Sequence, residues 1–389
     1  MINFNFAQKL ICMIPLKIGF DAKRAFFNKS GLGNYSRNLI NSLVKFYPEN
    51  SYYLFTPSLK NRINLSHQAE KLAHIVGPKH NLKFLQSIWR TYYISSKIEK
   101  FSLDIYHGLS HELPYGIHKT KVKRIVTVHD LIFIKFPRFY SKIDVKIYKA
   151  KLKYALEAAN VVVAISNQTR DDLISIFDLN PQKIKVIYQS CNEWFYNNYT
   201  NESINFFKKQ NNLQEPYLLY IGTIEERKNL LTLLKALKLI NKPIPLVVVG
   251  KKTNYYYTQI KPFLENTRLN VQFLTNISNE ELPMLYQNAQ CFIYPSIYEG
   301  FGIPILEALV SGIPVITTKG GCFEETGGNA AIYVDPFDIN ALANAIDKII
   351  SDANLRHNMI NHGIKHAKQF HPGVIANNYM NLYRDLEKL

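Results

Sequence analysis

Cysteine is scarce. Its four residues, Cys12, Cys191, Cys291 and Cys322, stand at spacings that match neither paired bridges nor a metal-ligand set. They read as reduced cytosolic thiols that mostly serve packing. Long apolar runs are missing as well, and no segment approaches the roughly 20 residues that a membrane-spanning helix takes. The apolar patch at residues 10–14 is short and closed by Lys17, which argues against a signal peptide. The expectation is that residues 1–12 are a dispensable extension, or that translation starts at Met13. Internal repeats and low-complexity blocks are also absent. Acidic residues fall short of basic ones, 30 against 47, which leaves a net charge of +17. That imbalance favours an anionic partner such as a phosphate-bearing lipid or nucleic acid. It equally fits a bias of composition, since Asn, Lys, Ile and Tyr are all abundant.

What is present is length for two α/β domains, each with a sizeable core. The most informative stretch is Tyr298-Glu299-Gly300-Phe301-Gly302-Ile303-Pro304-Ile305-Leu306-Glu307-Ala308. It follows a short apolar run, Cys291-Phe292-Ile293-Tyr294-Pro295, that reads as a buried strand. Two glycines form a tight loop, and Pro304 suits the first turn of a helix. Unpaired N–H groups and the helix dipole then make an anion site. Glu299 and Glu307 flank it with carboxylates that can accept sugar hydroxyls. The combination suggests a nucleotide-sugar site.

Other strand ends carry polar residues of the same sort. Lys17–Asp21 reads as a first strand, ending in Asp21 where open α/β sheets bind ligands. A glycine loop with Gly31 and Gly33 follows it and opens a helix. The run Arg124-Ile125-Val126-Thr127-Val128 ends in His129-Asp130. The run Val161-Val162-Val163-Ala164-Ile165 ends in Ser166, which suits a helix cap. After a strand at 217–221, Gly222 and Thr223 lead into Arg227-Lys228-Asn229 at a strand-to-helix turn. There a guanidinium fork and a compact ammonium can grip phosphate oxygens. Further strands are expected at 51–56, 104–108, 183–188, 245–250 and 271–274. Two basic amphipathic helices are expected, at 81–101 and 140–160. In the second, Ile143, Ile147, Ala150 and Tyr154 form one stripe, and Lys142, Lys146, Lys149 and Lys153 the next. Each helix reads as packed with its lysines solvated, or as lying on a membrane surface. Residues 189–199 read as a linker with no catalytic role.

The Glu-x-Phe-Gly-x-Pro-x-x-x-Glu-Ala spacing is similar to the donor-site motif of family 4 retaining glycosyltransferases. Residues 222–229 resemble the Gly-Thr-x-x-x-Arg-Lys-Asn branch often seen in bacterial mannosyltransferases. The resemblance is dense from residue 217 to 336 and looser before it. It implies the GT-B fold, α/β, with two Rossmann-like domains facing each other across a cleft. Residues 1–190 would form the acceptor domain, 191–370 the donor domain, and 371–389 a helix crossing back to the first. It further implies transfer of a hexose, mannose before others, with retention. Surface polysaccharide or lipopolysaccharide synthesis is the implied setting.

In these terms His129, Asp130, Glu299, Arg227 and Lys228 would carry the chemistry. Gly222, Thr223, Gly300, Phe301, Gly302, Ile303 and Glu307 would bind the donor, with Glu307 on the ribose. Asp21, Gly31, Gly33 and Ser166 would line the acceptor side. GDP-mannose is favoured over a UDP-hexose. No cofactor is implied, and no catalytic metal, since the chain has no Asp-x-Asp pair. The expected partners are the nucleotide sugar and a glycan or lipid-linked acceptor, with peripheral contact to an anionic membrane from the cytoplasm and no nucleic acid. A GT-B sugar-nucleotide epimerase is the alternative. A basic nucleic-acid-binding protein without enzymatic activity is a remote one.

Overall fold

The computed structural model describes residues 14–78, 94–197, 199–275 and 277–388. Cys12, the extension at 1–12, Met13 and most of the helix expected at 81–101 lie outside the described residues; Ile94–Phe101 is helical. Thirteen described strands build two sheets. The first joins β1 (Lys17–Asp21), β2 (Ser51–Phe55), β3 (Ala73–Val76), β4 (Ile105–Gly108), β5 (Lys123–Val128), β6 (Val161–Ala164) and β7 (Ile184–Val186) in the order β3-β2-β1-β4-β5-β6-β7. The second joins β8 (Leu218–Ile221), β9 (Leu246–Val249), β10 (Val271–Leu274), β11 (Cys291–Tyr294), β12 (Val315–Thr318) and β13 (Ala331–Val334) in the order β10-β9-β8-β11-β12-β13. All five pairings of the second sheet are parallel.

The strands are short and almost continuously apolar because helices cover both faces of a parallel sheet. All four residues of β11 are buried. Phe292 and Tyr294 pack into one core beneath the helix Ile303–Val310, with Leu219, Val247 and Val315. Cys291 and Ile293 pack into another on the opposite face, with Leu233, Leu234 and Ile346. Full burial of one such side chain contributes about 1.5–3 kcal/mol. In this order the chain reverses direction between β8 and β11. Ligands of open α/β sheets bind beyond the carboxyl ends of the strands at such a point. The segments leaving β8 and β11 are those that carry Arg227-Lys228 and Glu299.

The chain divides into two compact units. One holds the described residues up to Thr127, Lys151–Val162 and those from Tyr379 onward; the other holds Val128–Ala150 and Val163–Asn378. The C-terminal helix, Pro372–Glu387, therefore contributes to both.

One element was not expected, and one finding bears on a reading left open. β3, Ala-His-Ile-Val, was not expected: it is a partly exposed edge strand and lacks the apolar run of its neighbours. The helix Lys142–Ala158 buries only Leu152, Ala155, Leu156 and Ala158. The stripe at Ile143, Ile147 and Ala150 is not packed and faces solvent.

Candidate active site

The loop leaving β11 folds onto the backbone of His129. A Cβ built on Gly300 would fall 1.9 Å from the His129 carbonyl oxygen and 3.2 Å from the Asp130 Cβ. Backbone blocks that space, so only glycine fits. Gly302, with φ of 96°, precedes the helix Ile303–Val310, and Pro304 sits in its first turn. Thr326 donates to the Phe301 carbonyl at 2.6 Å and ties the loop from the side. The Phe301 ring packs against Tyr188 and Phe370 in the core. What Phe301 offers a ligand is therefore its backbone. Ile303 is half-buried against the same core.

Glu299 is the electrostatic centre. Its Oε1 accepts from Arg227 Nη1 at 2.8 Å, Lys228 Nζ at 2.5 Å, Tyr294 OH at 3.0 Å and Ser296 Oγ at 2.5 Å. Burial alone would raise this carboxyl, but Lys228 and Arg227 outweigh it and hold the pKa at about 2. Arg227 also donates to the Tyr298 carbonyl at 2.6 Å and to Glu225 at 2.7 Å. Burial opposes its charge, yet Glu299 and Glu225 keep the guanidinium above its ordinary value. Burial lowers the Lys228 ammonium, against the pull of Glu299. That ammonium lies 2.6 Å from Tyr294 OH and 5.0 Å from the centre of its ring. The three charged side chains are only 12–13% exposed.

Local structure explains how two cations come to face one carboxylate. Glu226–Lys228 forms a single 3-10 turn, and Asn229, in the left-handed region at φ 58°, separates it from the helix Leu230–Leu237. Asn229 donates to the carbonyls of Pro295 and Pro336 at 3.1 and 2.6 Å. The turn is thus fastened to the segment leaving β11. Gly222 and Thr223 lie upstream of it; Gly222 N donates to the Val249 carbonyl at 2.9 Å.

Asp130 stands beside this cluster. Burial raises its carboxyl, the Ile132 N–H at 3.0 Å lowers it, and Arg227 and Glu299 act on it in opposite senses. His129 is buried, with Nδ1 3.1 Å from Gln189 Nε2. Gln189, at the start of the expected linker and buried, thus contacts the histidine ring. Ser166 caps the helix Asn167–Phe177 by accepting from Thr169 N at 3.0 Å. Glu307 sits apart on its own helix. Its Oε2 accepts from Tyr286 OH at 3.0 Å, and burial raises its carboxyl to about 8.

Asp21, Gly31 and Gly33 belong to the other compact unit. Asp21 accepts from Lys23 N at 3.2 Å. A Cβ on Gly33 would fall 1.8 Å from the Asn28 carbonyl oxygen, whereas Gly31 has open space.

Several contributors were not legible. Gln168 donates to the Glu299 carbonyl at 2.6 Å and accepts from Cys322 N at 3.1 Å. Glu325 accepts from the N–H groups of Asn167 and Gln168 at 2.7 and 3.0 Å. Tyr298 donates to Asp172 and lies under the Lys135 ammonium. Each partner comes from a distant segment, and no spacing pattern marks it. Tyr294 and Ser296 could have been found: they lie at the end of a buried strand just before Glu299, where polar groups need partners.

The pattern described as Glycosyltransferase Family 4 matches residues 29–192, and that described as Glycosyl transferases group 1 matches 201–366. The chain is 26% identical over 371 residues to O-antigen chain mannosyltransferase B of Escherichia coli, covering 91% of this chain and 96% of that one. It is 31% identical over 237 residues to the O-antigen chain mannosyltransferase RfbU of Salmonella typhimurium, covering 60% and 63%. Its fold resembles that of Anabaena HepE, solved in complex with UDP-glucose, with a TM-score of 0.70 at 17% identity over 95% of this chain and 100% of the other.

Proposed function

Because the chain belongs to the family 4 and group 1 glycosyltransferases and has their GT-B fold, we propose that it moves a hexose, mannose in preference, from a nucleoside diphosphate sugar to a glycan or lipid-linked acceptor with retention at the anomeric carbon. One observation carries this reading: Arg227 and Lys228 converge on Glu299 beside the Gly300–Gly302 backbone, at the switch point of the second sheet. Two cations held by one carboxylate are poised for an anion that can replace it. The donor diphosphate takes that place, and Glu299 turns to a sugar hydroxyl. As the bond from the anomeric carbon to phosphate oxygen breaks, Arg227 and Lys228 offset the charge on the leaving diphosphate. A cation about 4 Å from that charge, at an effective dielectric of about 20, is worth roughly 4 kcal/mol. The acceptor oxygen attacks from the same face, and the leaving phosphate takes its proton. The Phe301 and Gly302 amides serve the phosphates, and Glu307 the ribose diol. The names of the mannosyltransferase relatives support mannose and a surface-polysaccharide setting.

The test is a thermal-shift screen of GDP, UDP and their sugars, followed by transfer of labelled mannose to a lipid-linked saccharide. GDP-mannose should raise the melting temperature most, and a chelator should leave transfer unchanged. No response to any nucleoside diphosphate would overturn the reading. Donor turnover without an acceptor would point to an epimerase instead. A trapped sugar adduct on Asp130 would replace front-face attack by a two-step route.

A further inference from the structure

The first half of the helix Lys142–Ala158 meets other described residues through Tyr148, whose ring lies edge-on to those of Phe133 and Tyr140 at 5.9 and 6.5 Å, while its apolar ridge is left uncovered. Residues 142–150 are exposed apart from the half-exposed Val145, while Leu152, Ala155 and Leu156 anchor the second half. Ile143 is 71% exposed and Ile147 45%. They stand one helical turn apart, so they present a single apolar ridge. Lys142, Lys146 and Lys149 flank that ridge along one side and are exposed. Asp144 is the one acid in this half, and it accepts from Ser141 Oγ at 2.7 Å. Tyr140 and Tyr148, each about 40% exposed, pack their rings on one another on the other side of the helix.

We propose that this half-helix docks on an anionic lipid bilayer, with Ile143 and Ile147 in the interface and Lys142, Lys146 and Lys149 at the headgroups. An apolar ridge bordered by lysines is the pattern of a helix lying in a membrane surface. A polyanion alone would engage the lysines but would leave the isoleucines in water. A second copy would bring lysines against lysines across a twofold contact. The position also fits. Tyr148 packs edge-on against Phe133, three residues after Asp130, so the docking helix starts close to the candidate active site. A lipid-carried acceptor would then meet the site from the surface on which the protein rests. Only this last step rests on the proposed function.

The test is co-sedimentation of the full chain with phosphatidylcholine vesicles with and without phosphatidylglycerol. The protein should bind the anionic vesicles, and salt should weaken binding. Ile143→Ser and Ile147→Ser should each lower affinity about tenfold, and each of Lys142→Gln, Lys146→Gln and Lys149→Gln about fivefold. All five variants should keep the wild-type melting temperature and its shift with GDP. Wild-type protein that ignores anionic vesicles, or isoleucine variants that bind as wild type, would overturn the proposal. So would a wild-type dimer that the isoleucine variants convert to monomer, which would make the ridge a self-contact. Vesicle binding without any nucleotide response would sink the proposed function and leave this surface standing.

Discussion

Glu299 and Glu307 lie eight residues apart on one motif and burial raises both carboxyls, yet they end on opposite sides of the ordinary value because Lys228 and Arg227 stand beside Glu299. Glu299 has a pKa of about 2, below the ordinary carboxylate value, so the stability it contributes is present above pH 4.5 and is lost as pH falls toward 2. Glu299→Gln should cost about 3 kcal/mol at pH 7, since two buried cations lose their counter-charge; urea unfolding measures this. The variant should also gain more melting temperature from GDP than the wild type does, because the diphosphate restores the missing charge. A smaller gain would mean that Arg227 and Lys228 are not where the phosphates bind. Glu307 behaves in reverse. Its folded pKa of about 8 lies above the ordinary value, so ionising the unfolded chain lowers stability as pH rises from about 4.5 to 8. Glu307→Gln should therefore raise the melting temperature at pH 8 and leave it unchanged near pH 4. If the ribose is held by the ionised form, nucleotide binding at pH 7 should release a proton. Calorimetry in buffers of different ionisation enthalpy would detect it.

At the scale of elements, the helix Asn167–Phe177 shows what the sequence could and could not convey. Its own cap was legible, because a serine after a β-branched run suits an N-cap. Its second cap was not. Glu325 reaches the N–H groups of Asn167 and Gln168 from a helix more than 150 residues later, and it also accepts from the Asn167 side chain at 2.8 Å. A carboxylate at a helix N-terminus satisfies orphan donors and meets the positive end of the dipole. Glu325→Ala should cost about 1–2 kcal/mol. It should also speed hydrogen exchange at the Asn167 and Gln168 amides while leaving the helix Leu230–Leu237 unchanged. Exchange that rises equally in both helices would show a global loss rather than an uncapped end. The Gln168 link to the Glu299 carbonyl was hidden for the same reason: it is a long-range bond made by a residue type with many uses. The helix Lys142–Ala158 was legible as a helix. Which of its two readings holds was not legible, because periodicity gives the face but not the neighbour that covers it.

Across the whole molecule, length and the alternation of strand and helix runs pointed to two α/β domains, the family resemblance made them two Rossmann-like sheets, and the switch point of the second then located the loops with Glu299 and Arg227-Lys228. The division into compact units was less accessible. The chain passes between them at 127–128, 150–151, 162–163 and 378–379, and such returns leave no shift in composition. The last return brings Tyr379 and Tyr383 into the core of the first unit. Tyr379 OH lies 2.6 Å from Tyr35 OH, and Tyr383 OH lies 2.8 Å from His107 Nδ1. His107 Nε2 in turn lies 2.7 Å from Thr127 Oγ1, and Tyr35 OH 3.2 Å from that same atom. All five side chains are buried, so each polar group depends on the others. Tyr383→Phe deletes one hydroxyl and leaves an imidazole nitrogen without that partner, at a cost of about 1–2 kcal/mol. Its effect belongs to the first unit, since Arg227, Lys228 and Glu299 lie in the second. Hydrogen-exchange mass spectrometry should show protection falling in β4 and β5 and holding in β8 and β11, with the melting-temperature response to GDP intact. Equal loss in both sheets would mean that the two cores open as a single cooperative body, and that the C-terminal helix stabilises the candidate site as much as the sheet it packs in.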